Sequence, residues 1–351
     1  MKGLSGLVTA LAEPSTASQG LSGLQKAAAH APDARKASTA AHSRPEPSGV
    51  LHALDKALSS EGDLPGRPAR RLTRMEDHTA AGIGVRPVPA LREYVDSYVG
   101  FDLRGFPTGV HCGPPGRALT AVISLSDPFE VVGVDERSPV TRFGSVAGGL
   151  MRRSVAIHHD GRQQGIRVSL TPLGARAVYG VPAAELAHRL VPLDELLGPL
   201  AAELVDRLRS ATTWAARFTA LDELLLRAVG RGACGDPVRR VRPEVAEAWR
   251  RLVAARGCVQ VGAVAAELGW SRRYLTDRFR GEVGLSPKTF ARVLRFEHAH
   301  ELAAARDPLP WGDVATASGY ADQAHLVRDW REFTGSSPTA WRRGEVLLGA
   351  G

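Results

Sequence analysis

The chain has 351 residues, 44% of them hydrophobic, with a formal net charge of +8 and three cysteines. That length suits two domains and an appendage, and the positive balance admits a nucleic-acid partner. No stretch approaches the ~20 apolar residues that span a bilayer, which argues against a membrane partner. Cys112, Cys234 and Cys258 show no paired spacing, so no metal site is expected and the simplest setting is a reduced, cytoplasmic one.

Residues 1–80 are rich in Ala, Ser, Pro and Gly and have no aromatic residue, so they read as a disordered tail without a core. The short piece "SGVLHALDKAL" is expected to form at most a transient helix. The opening "MKGLSGLVTALAEPSTA" has a Lys and a thin apolar run like a signal peptide, but Gly and Ser interrupt the run and we do not read it as one. Met75 opens the part with folded character and is a second candidate start. Much of the net charge comes from the front of the chain, where residues 1–75 carry ten basic and six acidic groups.

Residues 81–235 read as a β-rich domain with trailing helices. "ALTAVISLSDP" alternates as a strand does, and Gly and Pro punctuate at short intervals. "RSVAIHHDGRQQGIRVSL" predicts a hairpin turned by Asp160-Gly161. That register sets His159 opposite Arg162, Ile157 opposite Gln164 and Val155 opposite Ile166, with Val168 and Leu170 continuing an inward face. His158, Gln163, Arg167 and Ser169 then point away. An inward face that is apolar at one end and polar at the other makes His159, Arg162 and Gln164 the candidate contacts for a small polar effector. The competing reading is a solvent-exposed hairpin tip. Helical text resumes at "TPLGARAVYG" and continues through "ELLGPLAAELVDRL" to "TWAARFTALDELLLRAV", where Trp214, Phe218, Leu221 and Leu225 share a face.

Residues 241–343 contain a repeat. "VAAELGWS" lies over "VATASGYA" at an offset of fifty, and from Phe279 on Trp330 to Arg292 on Arg343 the offset is fifty-one. Each copy predicts a helix ending in Gly, a turn, and a second helix with one buried stripe: Leu275 and Phe279 in the first, Leu326, Trp330 and Phe333 in the second. Ser271 is the expected N-cap of the first of these second helices. The outward residues are Arg272, Arg273, Thr276, Asp277 and Arg280, then Gln323, Ala324, Val327, Arg328 and Arg331. Arg and Gln fork onto guanine and adenine edges, so these faces suit a major groove of double-stranded DNA. Solvated faces would look similar, and Arg273 with Asp277 could be an ordinary i, i+4 pair. Two such units at fixed spacing favour DNA. Between them, Ser286-Pro287 starts a helix expected to run to about Arg306, ~30 Å long and close to the ~34 Å of one duplex turn. Arg342 and Arg343 beyond the second unit are candidate phosphate contacts.

From about Val245 to Arg343 the chain resembles the AraC/XylS transcriptional regulators, most specifically in "GLSPKTFARVLRFEHAHEL", "WGDVATASGYADQAHL" and "SSPTAWRR". The resemblance implies an all-helical, bipartite DNA-binding half with base contacts at Arg273, Thr276, Asp277, Gln323, Ala324, Val327 and Arg328. It also implies a sensing or dimerising β-rich half, often cupin-like, so the whole is α+β. Leu326 stands where the family favours Phe. Ala324 and Val327 offer no hydrogen bond and suit thymine methyls. The expected function is an effector-responsive regulator without a cofactor and without enzymatic activity. RNA polymerase and a second copy of the chain are candidate partners. Two alternatives stay open: a metal-dependent cupin-like enzyme with an appended DNA-binding domain, and a scaffold whose β domain only dimerises. Adjacent His158 and His159 point to opposite faces of a strand and ligate one ion poorly.

Overall fold

The computed structural model describes residues 71–75, 78–105, 108–131, 140–233, 241–305 and 307–343. The stretch before residue 71, with the helix expected there, lies outside the described residues, as do Cys234 and the His111 side chain.

Eleven strands among these residues form two antiparallel sheets. The larger contains β1 (Arg71–Met75), β2 (His78–Val85), β3 (Val95–Arg104), β10 (Gln163–Leu170), β5 (Leu119–Ser124), β8 (Ser145–Gly148) and β11 (Leu190–Pro192), in that spatial order. The smaller has the order β4 (Gly109–Gly113), β9 (Val155–His159), β6 (Phe129–Val131), β7 (Thr141–Phe143). β1 and the start of β2 thus extend strand structure into the stretch that composition assigns to a tail.

The expected hairpin at 154–170 does not form. β9 pairs with β4 and β6, whereas β10 lies between β3 and β5 in the other sheet. Asp160 and Gly161 therefore carry the chain from one sheet to the other, with Gly161 at φ 92° and the Arg162 amide donating to Asp160 Oδ1 at 3.1 Å. A two-strand hairpin would leave each strand one neighbour; here β10 has two, and both its faces are covered. Ile166, Val168 and Leu170 face the helices with Tyr98, Ala121 and Ile123. Arg167 and Ser169 face the second sheet. The expected face holds for Ile166, Val168 and Leu170, but Val155 and Ile157, expected beside them, lie in the second sheet and line the space between the sheets with Arg167 and Ser169, so the opposite face of β10 is interior too.

Five helices follow the strands or thread between them: α1 (Pro172–Gly174, continuing as a π turn, Ala175–Tyr179), α2 (Ala183–Leu186), α3 (Leu193–Leu197), α4 (Pro199–Ser210) and α5 (Trp214–Ala233). α5 lays Phe218, Leu221, Leu224 and Leu225 into the core, and the Trp214 ring covers Gly100, where a Cβ would sit 2.5 Å from it. Burying these four side chains is the main force holding α5 to the sheet, each contributing about 1.5–3 kcal/mol. One polar staple fixes the register: the buried Tyr98 hydroxyl donates to Asp222 Oδ1 at 2.9 Å, and the Val88 amide donates to the same oxygen at 3.2 Å. Burial first, then the Asp222 charge, holds the Tyr98 phenol protonated.

The rest of the described chain is helical: α6 (Pro243–Ala254), α7 (Val261–Glu267), α8 (Arg272–Val283), α9 (Pro287–Ala303), α10 (Trp311–Ala317), α11 (Gln323–Thr334) and α12 (Pro338–Arg342). α9 ends at Ala303, three residues before the expected end; its 17 residues make it ~26 Å long.

Candidate DNA interface and effector cavity

The repeat in the sequence is a repeat in local chemistry. Gly269 and Gly319 take φ 69° and 75° after α7 and α10, and Gly284 and Gly335 take 91° and 74° after α8 and α11. A left-handed residue there closes each helix without a Cβ penalty. Ser271 Oγ accepts from the Tyr274 amide, as expected; Asp322, which the sequence reading passes over, does the same for His325 at 2.6 Å. Ser286 and Ser337 cap α9 and α12 in the same way, each with Pro at the first helical position.

Each second helix buries its stripe completely: Leu275 and Phe279, then Leu326, Trp330 and Phe333, are all at 0% exposure. The opposite faces are open. Arg272, Arg273, Asp277 and Arg280 on α8 are exposed, as are Gln323, Ala324, Arg328 and Arg331 on α11. Arg273 and Asp277 form no ion pair with each other among the described residues. Thr276 and Val327 are half-buried, and the Thr276 hydroxyl donates back to the Arg272 carbonyl at 2.8 Å. Arg342 is committed elsewhere: its guanidinium stacks 3.7 Å over Trp311 and donates to the Leu309 carbonyl at 3.0 Å, and burial lowers its pKa. It locks α12 to the start of α10. Arg343 is exposed.

Both units also carry an aromatic pair that sequence spacing alone does not reveal. Trp270 meets Tyr274 edge-on at 4.8 Å, and fifty to fifty-one residues later Tyr320 meets His325 edge-on at 5.0 Å. The aromatic after each Gly therefore props the first turn of the helix that follows.

A second feature lies between the sheets. A cavity of about 240 Å³ is walled by Phe101, Val122, Phe129, Val146 and Ile157, with Arg167, Ser169 and Gln163 from β10 on one side. At its mouth Arg117 bridges Asp96, at 3.0 Å, and Glu297 of α9, at 3.4 Å. Phe296, His300 and Glu301 of α9 complete the wall. Of the three effector contacts expected from the hairpin, Gln164 borders this cavity and donates to Asp102 at 3.0 Å. Arg162 is exposed at the crossing between sheets, and His159 pairs with Gly109 at the end of β9, where burial first and then His158 lower its pKa. The structure does not bring the three together. The signal for the cavity residues was an Arg and a Ser in the alternating "IRVSL", legible as interior only once a second sheet is known. Among the described residues no three His, Cys, Asp or Glu side chains converge as a metal site, and no helix is long and apolar enough to cross a membrane.

Residues 264–344 match a family model described as a helix-turn-helix domain. The chain carries the AraC/XylS-type double helix-turn-helix. Over 111 residues it is 34% identical to the probable bifunctional transcriptional activator/DNA repair enzyme AlkA of Mycobacterium tuberculosis, a match covering 31% of this chain and 22% of that protein. The chain thus spans about a fifth of the length of these curated relatives. Among solved structures, the C-terminal domain of AraT, a response regulator from Geobacillus stearothermophilus, is 25% identical, with 32% of this chain and 93% of that one covered and a TM-score of 0.28. ToxT from Vibrio cholerae is 8% identical, with 78% and 100% covered and a TM-score of 0.43.

Proposed function

We propose that the protein is a sequence-specific transcription regulator that reads two adjacent half-sites in double-stranded DNA through α8 and α11, under the control of a small-molecule effector. It acts in the cytoplasm, without enzymatic activity, by altering how RNA polymerase uses a promoter. The observation that carries the DNA reading is the pair of open faces at the same position of two repeated units. Each is built on a fully buried stripe, and they are joined by one helix of ~26 Å, about three-quarters of a duplex turn. Residues 241–343 hold both stripes and all four caps, and form the DNA-binding domain; 81–235 is the sensing domain, with a cupin-like enclosed cavity.

Effector control rests on α9. Its residues Phe296 and His300 form part of the cavity wall, and His300 also stacks on Trp330 of α11 at 5.7 Å. A ligand that presses on that wall presses on the core of the second reading unit. The mostly apolar walls and modest volume suit a small molecule with an apolar body and few polar groups. The test is direct. A fragment spanning 241–343 should bind DNA with an affinity that falls steeply with salt, because phosphate contacts release counterions. A folded fragment without salt-dependent affinity would remove the reading.

A further inference from the structure

The β half touches the two reading units at equivalent places. In the first, Arg176 of the π turn donates to Glu282 Oε1, near the end of α8, at 2.6 Å, and both side chains are largely buried. Beside it Gly284 packs so closely on α2 that a Cβ would lie 2.6 Å from the Ala187 methyl. In the second, the Ser154 amide and hydroxyl both donate to the Phe333 carbonyl, near the end of α11, at 2.8 and 3.1 Å, and Arg152 reaches Glu332 at 3.4 Å. Phe333 is the residue that the fifty-one-residue offset lays over Glu282. The contacts therefore fall on the rear ends of both second helices, while their N-terminal reading faces stay open.

This arrangement does not cover the DNA-reading surface. It closes a circuit. Within the helical half the two units are linked through α9, whereas here the β half adds a second strut from the end of α8 to the end of α11. A unit held at one joint can rock about it; a unit held at two is fixed in spacing and tilt.

We infer that Arg176 and the Arg152–Ser154 corner are positioning residues that set the distance between α8 and α11, so that the β half decides which half-site spacing the full-length protein accepts. This rests on the DNA-binding reading above. The corner runs directly from Met151, which lines the cavity, so the strut starts at the proposed sensing site.

The experiment uses the full chain and its preferred site, selected from random DNA, together with versions carrying one to three inserted base pairs between the half-sites. For the wild type each insertion should cost about tenfold or more in affinity, the scale of a lost base-pair match. The Ser154 amide should also be protected from hydrogen exchange. In Arg152→Glu/Ser154→Pro, which removes the amide donor as well as the hydroxyl, and independently in Arg176→Met, the spacing penalty should shrink to about threefold or less while affinity for single half-sites stays unchanged. Arg176→Lys should keep the wild-type penalty. A wild-type Ser154 amide that exchanges like an open loop, or an unchanged penalty in both broken variants, overturns the proposal. Wild-type protein that binds its site but ignores spacing sinks this inference alone, whereas wild-type protein with no salt-dependent affinity for any DNA sinks the DNA reading itself.

Discussion

The two reading units share a frame and differ in what they do with it. In the first, position 278 is an exposed Arg whose guanidinium lies 4.9 Å from the Tyr274 ring, and the outward face is dominated by Arg272, Arg273 and Arg280. The equivalent of Arg278 in the second is Asp329, buried at 4% exposure and gripped by Arg292 of α9 through a fork at 2.7 and 3.3 Å. Glu332 joins the same guanidinium at 2.5 Å. Apart from Glu282 at its end, the first unit thus leaves its charge on an open face. The second spends charge on docking to α9 and leaves a face of mixed Gln, Ala, Val and Arg. A repeat conserves what packs and caps, and lets what points outward diverge.

The largest effects should come from the cores, and they should be unequal. Trp330 makes ring contacts with Phe296, Trp311 and Trp341 at 5.2, 5.3 and 5.2 Å, whereas Phe279 has Phe290 at 5.8 Å. Trp330→Ala should cost about 4–5 kcal/mol and Phe279→Ala about 3–4 kcal/mol, read from denaturant unfolding. Equal losses would mean that the aromatic cluster adds nothing beyond burial. Next comes the clamp. Arg292→Ala leaves the Asp329 carboxylate buried without its partner and should destabilise by about 2–3 kcal/mol, less than a fully buried pair because Arg292 retains some contact with water. An Arg278→Ala change in the first unit should stay within about 0.5 kcal/mol. If the two substitutions matched, the difference in how the units use charge would disappear.

How far this was legible in the sequence follows from which interactions are local. Caps, Gly turns and buried stripes of the helical half depend on residues within a few positions, so Ser271, Gly284, Ser286 and Trp330 could be placed by spacing. The Asp322 cap escaped because the inserted residue after Gly319 shifts the alignment just there. In the β half, β9 and β10 are adjacent in sequence and the turn chemistry of Asp160-Gly161 favours a hairpin, but each strand pairs with a strand far along the chain. That choice is made by tertiary burial, which short-range alternation cannot express. The proposed cavity was invisible for the same reason, since Arg117, Arg167 and Phe296 come from three distant segments.

The outward faces allow a sharper comparison. Arg273→Ala and Gln323→Ala should each cost about 1–3 kcal/mol on the preferred site and relax sequence choice at one position, with little change on random DNA. Arg343→Ala should instead weaken all sequences alike and lower the salt slope by about one. Binding titrations on specific and random duplexes at several salt concentrations separate the two patterns. Equal losses on both duplexes for Arg273→Ala would reassign that residue to the backbone.

The smallest effect tests the docking chemistry of the second unit by pH. The Arg292 guanidinium beside Glu332, aided by Arg152, holds its carboxyl below the usual glutamate range. A carboxyl with a depressed pKa in the folded state stabilises it fully above the unfolded value of about 4.3, and that contribution fades as pH falls through the lower folded value. Glu332 is partly exposed, so water screens the pair and the effect is modest. Glu332→Gln should therefore lower stability near neutrality only slightly, and the gap from wild type should close as the solution is acidified below about pH 4. Thermal unfolding of both proteins across that range checks it. A gap that stays constant with pH would show that Glu332 acts through packing, and the charge would then belong to the Arg292–Asp329 fork alone.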